Sequence, residues 1–333
     1  MILSLCIFVT INIILIINFN KFSKLINLYD IPDNKLKLHK KKISLAGGTI
    51  IITNIFLLIF LDFIFKNGLT EFFNSGQELF SFILILSAFY LLGIYDDKYK
   101  LKPNIKFFFI FLISFLYVII NNNILINNFS LSIYDHRIFL QNYSIPFTVF
   151  CLVILINSLN FFDGVNGQLL IFFLVIFSYL LIKTLRLEFY LFIIIIIIFC
   201  LILNLKNKMF LGDNGVYVMS ILLSTSIIYE HNTYKEFIYV DEIFFLLLLP
   251  GIDLLRLSIF RLIHRKNPFY GDRNHIQHLL INRFSLLNTN IYLILLSILP
   301  IFLYNILNQN FYAVFSIFLV IYSLLIKNLL NDI

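Results

Sequence analysis

Four carboxylates sit at the ends of long apolar segments. Asp96 and Asp97 lie in GIYDDKYKLK (93–102), Asp163 in NSLNFFDGVNG (157–167) and Asp213 in FLGDNG (210–215). Asp and Glu together number only 18 in 333 residues. A carboxylate near a bilayer is costly unless it has a partner, a metal ion or a water-filled cavity. If the segments fold so that these ends meet on one side of a membrane, they form one cation-binding, phosphate-handling site. Each motif also has a plainer reading. Asp96-Asp97 alone, with Lys98, Lys100, Lys102 and Lys106 close by, describes a solvated helix end. Asn157, Asn160 and Asp163 at i, i+3 and i+6 place polar groups along one helical face, suited to a polar ligand or to the water shell of a metal. They also suit a helix carboxy terminus. Asp213, between Gly212 and Gly215, reads as the N-cap of the span that begins near 214. A carboxylate there can hold Mg²⁺ while the helix amino terminus faces phosphate.

NPFYGDRNHIQHLLINR (267–283) sets Asp272, Arg273, His275 and His278 within seven residues. Arg and His suit phosphate oxygens, and His275 and His278 share a face if the stretch is helical. Zinc is disfavoured because no Cys lies nearby and the other ligands are hard oxygens. Anionic-lipid attraction is the plainer alternative. Asp253 and Arg256 in PGIDLLR form an i, i+3 pair that neutralises itself and is not read as catalytic. The basic stretch around His39 and Gly47-Gly48 serves as an inner-face anchor, although His39 and the two glycines exceed what that needs.

These motifs hang on a framework that composition identifies. Sixty per cent of residues are hydrophobic, 13% are charged and mean hydropathy is +0.94, which excludes a soluble globular class. Runs such as Ile2–Phe19 and Leu187–Leu205 match a hydrocarbon core of about 30 Å. The expectation is an all-α polytopic membrane protein, one domain over 1–333, with about eleven spans. No basic residue precedes the first apolar run and no small-residue cleavage site follows it, so it reads as a retained helix. With the amino terminus outside, the inner loops are 20–44, 95–104, 160–167, 205–213 and 261–288. They, the tail and the flanking helix ends hold all of the 25 Lys and Arg except Lys66, Arg137, Lys183, Arg186 and Lys235. Every acidic motif falls on that same cytoplasmic face. The outer loop alternates polar and apolar residues and reads as a small β-hairpin at 128–141. Cys6, Cys151 and Cys200 lie in apolar runs without metal-like spacing.

Taken in order, the motifs resemble the polyprenyl-phosphate N-acetylhexosamine-1-phosphate transferase family (glycosyltransferase family 4), from His39 and Gly47-Gly48 to His275 and His278. The resemblance implies a bacterial inner-membrane enzyme with a cytoplasmic site. It would transfer a sugar-1-phosphate from a UDP-sugar to undecaprenyl or another polyprenyl phosphate, with Mg²⁺ (or Mn²⁺) as cofactor, releasing UMP and starting a cell-envelope glycan such as lipopolysaccharide. It implies no nucleic-acid partner and allows a homodimer. By motif position, Asp96 or Asp97 deprotonates or orients the lipid phosphate. Asp213 is the principal metal ligand, and Asp163 belongs with Asn157 and Asn160 to the nucleotide-sugar and metal stripe. Arg273, His275 and His278 form the diphosphate set, with Lys106 and His39 also substrate-binding. The family's H-x-H-H reads His275-Ile276-Gln277-His278 here, and its Ser after G-D-x-G is Val216. The loop resembles the UDP-N-acetylhexosamine branch more than the pentapeptide branch. The rival readings are an inactive relative acting as an envelope scaffold and a secondary transporter.

Overall fold

The structure is a computed structural model that describes residues 2–32, 41–65, 72–73, 75–132, 137–184, 186–233, 238–266 and 274–331. Its helices in chain order are α1 (Ile2–Ile17), α2 (Phe19–Ile26), α3 (Gly47–Phe65), α4 (Gly76–Tyr99), α5 (Pro103–Ile120), α6 (Ser144–Phe162) and α7 (Gln168–Lys183). There follow α8 (Leu187–Leu205), α9 (Gly212–Thr233), α10 (Val240–Leu246), α11 (Leu248–Ile263), α12 (Ile276–Arg283), α13 (Leu286–Ile306) and α14 (Phe311–Asn331). The only strands among the described residues are two-residue pieces, β1 (Tyr29–Asp30) with β2 (Ile43–Ser44) and β3 (Asn128–Phe129) with β4 (Ile138–Phe139), each pair antiparallel.

The all-α, multi-pass class holds, and β3–β4 supplies the expected hairpin in reduced form. Length and hydropathy support fewer spans than eleven. Seven helices qualify alone, and up to nine if the bent pairs α1–α2 (77°) and α10–α11 (68°) each count as one. The other two expected spans correspond to α7, which is short, and α9, which is too polar. α9 is buried from Asn214 to His231, and its Ser220, Ser224, Thr225, Ser226 and Glu230 are at most 3% exposed. A helix surrounded by protein is released from the need for an apolar surface.

The chain divides into two compact units, residues 1–122 with 177–223 and residues 123–176 with 224–333. In the first, α3 packs on α1, α8 and α4, and α4 packs on α5. Asn12 of α1 donates to Asn54 Oδ1 of α3 at 2.7 Å inside this apolar packing, and Phe8 meets Phe192 of α8 edge-on. Such a polar contact fixes the register of two greasy helices. α4 is opened by Ser75, which accepts from the Glu78 amide, and closed by Lys100 in a left-handed conformation. Pro103 then opens α5. This tight reversal sets the first turn of α5 beside the last turn of α4. Elsewhere Ser44 of β2 accepts from the Phe210 amide at 2.8 Å, which draws the segment before α9 against the start of α3.

In the second unit, α11 packs on α6, α10 and α13, and α12 lies against α13 and α14. Asp241 of α10, 2% exposed, accepts from Tyr304 of α13 at 2.6 Å and from the Ser132 hydroxyl, which ties the β3–β4 segment to the helices.

Candidate active site

Within the first unit, α4, α5 and α9 bring Asp96, Asp97, Lys106 and Asp213 together. Lys106 stands on the first turn of α5, and its Nζ lies 2.7 Å from Asp96 Oδ2 and 3.1 Å from Asp213 Oδ1. Asp96 is 4% exposed; its Oδ2 also accepts from Tyr217 OH at 3.1 Å, and its Oδ1 from the Leu101 amide at 2.9 Å. The ammonium further sits 5.3 Å from the centre of the Tyr217 ring. Lys98, by contrast, lies over the Tyr99 ring at 5.2 Å.

Asp97 does a different job. Its Oδ1 accepts from the backbone N–H of Asp213 at 2.9 Å, and its Oδ2 accepts from the N–H of Asn214 at 3.1 Å and from the Asn214 side chain. These amides belong to the first turn of α9, which has no partners of its own for them. Asp97 therefore caps α9 from another helix. The expectation that Asp213 is the N-cap is corrected: Asp213 lies inside the first turn, its side chain 29% exposed.

The approach of α9 is backbone to backbone. A Cβ on Gly93 would stand 2.2 Å from Asn214 Cα, and one on Gly48 would stand 2.0 Å from Asn214 Oδ1. Gly212 adopts φ +72° to turn into the helix. Asn214, wholly buried, donates to the Leu45 carbonyl at 3.1 Å as well as to Asp97. Gly47-Gly48 thus belong to the site through packing.

The second unit joins two further motifs. α6 ends at Phe162, and exposed Asp163 is its C-cap, its N–H reaching the Leu159 carbonyl at 3.1 Å. Asn157 and Asn160 are half-buried, and Asn157 turns its amide back onto the Val153 carbonyl at 2.7 Å, so the expected stripe is partly engaged by its own helix. Gln277 donates to the Phe161 carbonyl at 2.8 Å, seating α12 on the end of α6. A Cβ on Gly164 would meet Gln277 Cγ and His278 Nε2, each at 2.9 Å. The residue that departs from H-x-H-H is therefore a buried strut.

His275 and His278 do not share a helical face. His275 precedes α12 and is 3% exposed, whereas His278 is half-buried on the first turn. His275 Nδ1 is 2.7 Å from Asp253 Oδ2, its ring stacks on Phe161 at 5.5 Å, and Arg261 Nη2 is 3.5 Å from its Nε2. Asp253 does pair with Arg256 at 2.8 Å, but it also accepts from Tyr322 OH at 2.8 Å and from the Ile276 amide at 3.2 Å. The reading of Asp253–Arg256 as a self-contained pair is corrected. Arg273 and His39 lie outside the described residues.

Two carboxylates, Asp96 and Asp213, share one ammonium in the first group, leaving formal negative charge for a cation to neutralise. Among the described residues no group of three or more His, Cys, Asp or Glu makes a metal cage. The hard oxygens nonetheless fit Mg²⁺, which is commonly held by one or two carboxylates plus substrate phosphates. Asp213, the more exposed member of the Lys106-bridged carboxylates, is the oxygen donor best placed for that. Sequence reading missed Asn214, Tyr217 and Phe161. Tyr217 carried a signal, lying four residues after Asp213 and so on the same helical face.

Residues 79–231 match the family described as glycosyl transferase family 4. The chain is 27% identical over 299 residues to the undecaprenyl-phosphate alpha-N-acetylglucosaminyl 1-phosphate transferase of Thermotoga maritima, covering 88% of this chain and 86% of that one. It is 26% identical over 263 residues to a Bacillus subtilis (strain 168) protein named as a probable undecaprenyl-phosphate N-acetylglucosaminyl 1-phosphate transferase, covering 76% and 69% respectively. The similarity to these relatives extends along most of the chain, and the stretch that matches glycosyl transferase family 4, residues 79–231, contains Asp96, Asp97, Lys106, Asp163 and Asp213.

Proposed function

We propose that the protein transfers an N-acetylhexosamine-1-phosphate from a UDP-sugar to undecaprenyl phosphate, or another polyprenyl phosphate, at the cytoplasmic face of a bacterial inner membrane. A lipid phosphate oxygen bonds to the sugar-bearing phosphorus, the diphosphate bond breaks and UMP leaves. The observation that carries this reading is the gathering of Asp96, Asp213 and Lys106, with Asp97 holding the helix that bears Asp213. The names of the two relatives supply the substrate class. The distribution of Lys and Arg supports the cytoplasmic orientation with the amino terminus outside.

Both substrates are anionic, so the reaction needs fixed positive charge and alignment. Asp213, with Asp96, would hold a divalent cation, which supplies charge neutralisation at the phosphates when bound. Lys106 sits between the two carboxylates and would donate to an incoming phosphate oxygen. Asp96 restrains Lys106, aided by Tyr217. Asp97 positions Asp213. In the second unit, Asn157, Asn160 and Asp163 on the end of α6, and His278 beside Gly164, are the side chains that the resemblance assigns to the nucleotide sugar.

The test uses purified protein in detergent with undecaprenyl phosphate, Mg²⁺ and a panel of UDP-sugars, reading UMP release. UDP-GlcNAc, UDP-GalNAc, 6-deoxy donors and UDP-MurNAc-pentapeptide belong in the panel, with Asp213→Asn as control. UMP release with at least one donor, lost in the control and on chelation, is expected. Silence from folded protein across the panel overturns the reading in favour of a scaffold.

A further inference from the structure

We propose that Asp253 is a positioning residue that fixes the imidazole of His275 and, through it, the first turn of α12 that carries His278. The inference rests on the reading above, which sets His278 to meet the nucleotide sugar.

Asp253 is 1% exposed, yet donors reach its carboxylate from α11, α12 and α14 as well as from His275. Arg256 and Tyr322 reach Oδ1 at 2.8 Å each, the Ile276 amide reaches it at 3.2 Å, and His275 Nδ1 reaches Oδ2 at 2.7 Å. A pair that served only to neutralise two charges in an apolar helix would need Arg256 alone. The other oxygen instead goes to a residue 22 positions along the chain. A carboxylate accepts and does not donate, so His275 carries its proton on Nδ1. Nε2 is then an acceptor, and it faces the Arg261 guanidinium, which itself lies over the Phe161 ring at 5.6 Å. Stacking on Phe161 fixes the imidazole plane, Asp253 fixes its rotation and tautomer, and the Ile276 contact caps α12. The partner that orients a ligating or binding histidine often matters nearly as much as the histidine itself.

The experiment compares Asp253→Asn, His275→Asn, their double variant and Tyr322→Phe, each checked for folding in detergent. Asp253→Asn should lower kcat/KM for the UDP-sugar by about 10- to 100-fold. Tyr322→Phe, which removes another contact of the same carboxylate, should change it by less than about threefold. In the His275→Asn background, Asp253→Asn should add less than about threefold, because the two residues act as a unit. An equal loss in both backgrounds would mean Asp253 merely holds α11 and α14, and would overturn the proposal. A second readout needs no turnover: the ¹⁵N imidazole resonances of His275, assigned by their loss in His275→Asn. The Nδ1–H tautomer is expected in the wild type and its loss in Asp253→Asn. A wild-type Nε2–H tautomer, or one unchanged in the variant, refutes the positioning role whether or not any donor is used. Should Asp253→Asn not fold, the wild-type tautomer decides alone. Absent turnover with the expected tautomers would sink the proposed reaction and leave the positioning role standing.

Discussion

Asp97 Oδ1 lies 2.9 Å from the backbone nitrogen of Asp213, so one member of the acidic pair on α4 holds in place the helix turn that carries the third carboxylate. The two residues are adjacent in space for different reasons. Asp97 satisfies orphan amides; Asp213 faces Lys106 and remains partly exposed.

That division separates two substitutions usually treated alike. Asp97→Ala should destabilise the protein by about 1–2 kcal/mol through loss of the cap, and lower activity as Asp213 drifts. Asp213→Ala should abolish turnover with a smaller loss of stability than Asp97→Ala, because the Asp213 side chain is 29% exposed beside Lys106. Unfolding in detergent beside UMP release checks both. Equal destabilisation by the two variants would refute the assignment.

Lys106→Met leaves Asp96, 4% exposed, beside Asp213 without its ammonium. The expected cost is about 3 kcal/mol with loss of turnover, since breaking one side of a buried pair strands a charge. Lys106→Met with Asp96→Asn should regain most of that stability and none of the activity. Recovery of turnover in the double variant would show that Lys106 does not act on substrate.

Gly93→Ala and Gly48→Ala each place a methyl into the Asn214 backbone or side chain, and should cost about 1–3 kcal/mol by overpacking. Gly251→Ala, where nothing lies within 4 Å, should be neutral or stabilising by up to about 1 kcal/mol in the interior of α11. Thermal unfolding of the three variants is sufficient, and a neutral Gly93→Ala would mean α4 and α9 do not approach so closely.

Gly164→Ala meets side-chain atoms of Gln277 and His278 rather than backbone. Those side chains can yield, so stability should fall by less than about 1 kcal/mol. Moving His278 should still lower kcat/KM by about tenfold. Full activity would separate His278 from the reaction.

Much of this arrangement was legible in the sequence, for identifiable reasons. Asp96, Asp97, Asp163 and Asp213 stood out because ionised residues in so apolar a chain need partners. The β3–β4 pairing followed from alternation. The roles within the acidic group did not follow, because a cap read from sequence is assumed to come from the helix's own flank. α9 takes its cap from Asp97, 116 positions earlier, and its Asn214 reaches a carbonyl 169 positions earlier. Asp253 was misjudged likewise: Arg256 three residues away satisfied local reasoning, and His275 on another element was invisible to it. The count of eleven spans included α7 and α9, which length and hydropathy alone do not support: α7 is short, and a polar helix buried in protein does not carry the uniform hydropathy of one facing lipid.

The glycine contact between α4 and α9 also bears on how the chain is made. Gly93, Asp96 and Asp97 enter the membrane long before Asn214 is synthesised. Lys106, ten residues on from Asp96, can shield Asp96 at once, because the tight reversal after Lys100 already sets α5 beside α4. The donors to Asp97 come instead from Asp213 and Asn214 on α9, which also fills the space beside Gly93. The acidic pair thus draws on two ranges of sequence, Asp96 on a partner within the α4–α5 hairpin and Asp97 on the G-D-N-G segment 116 positions later.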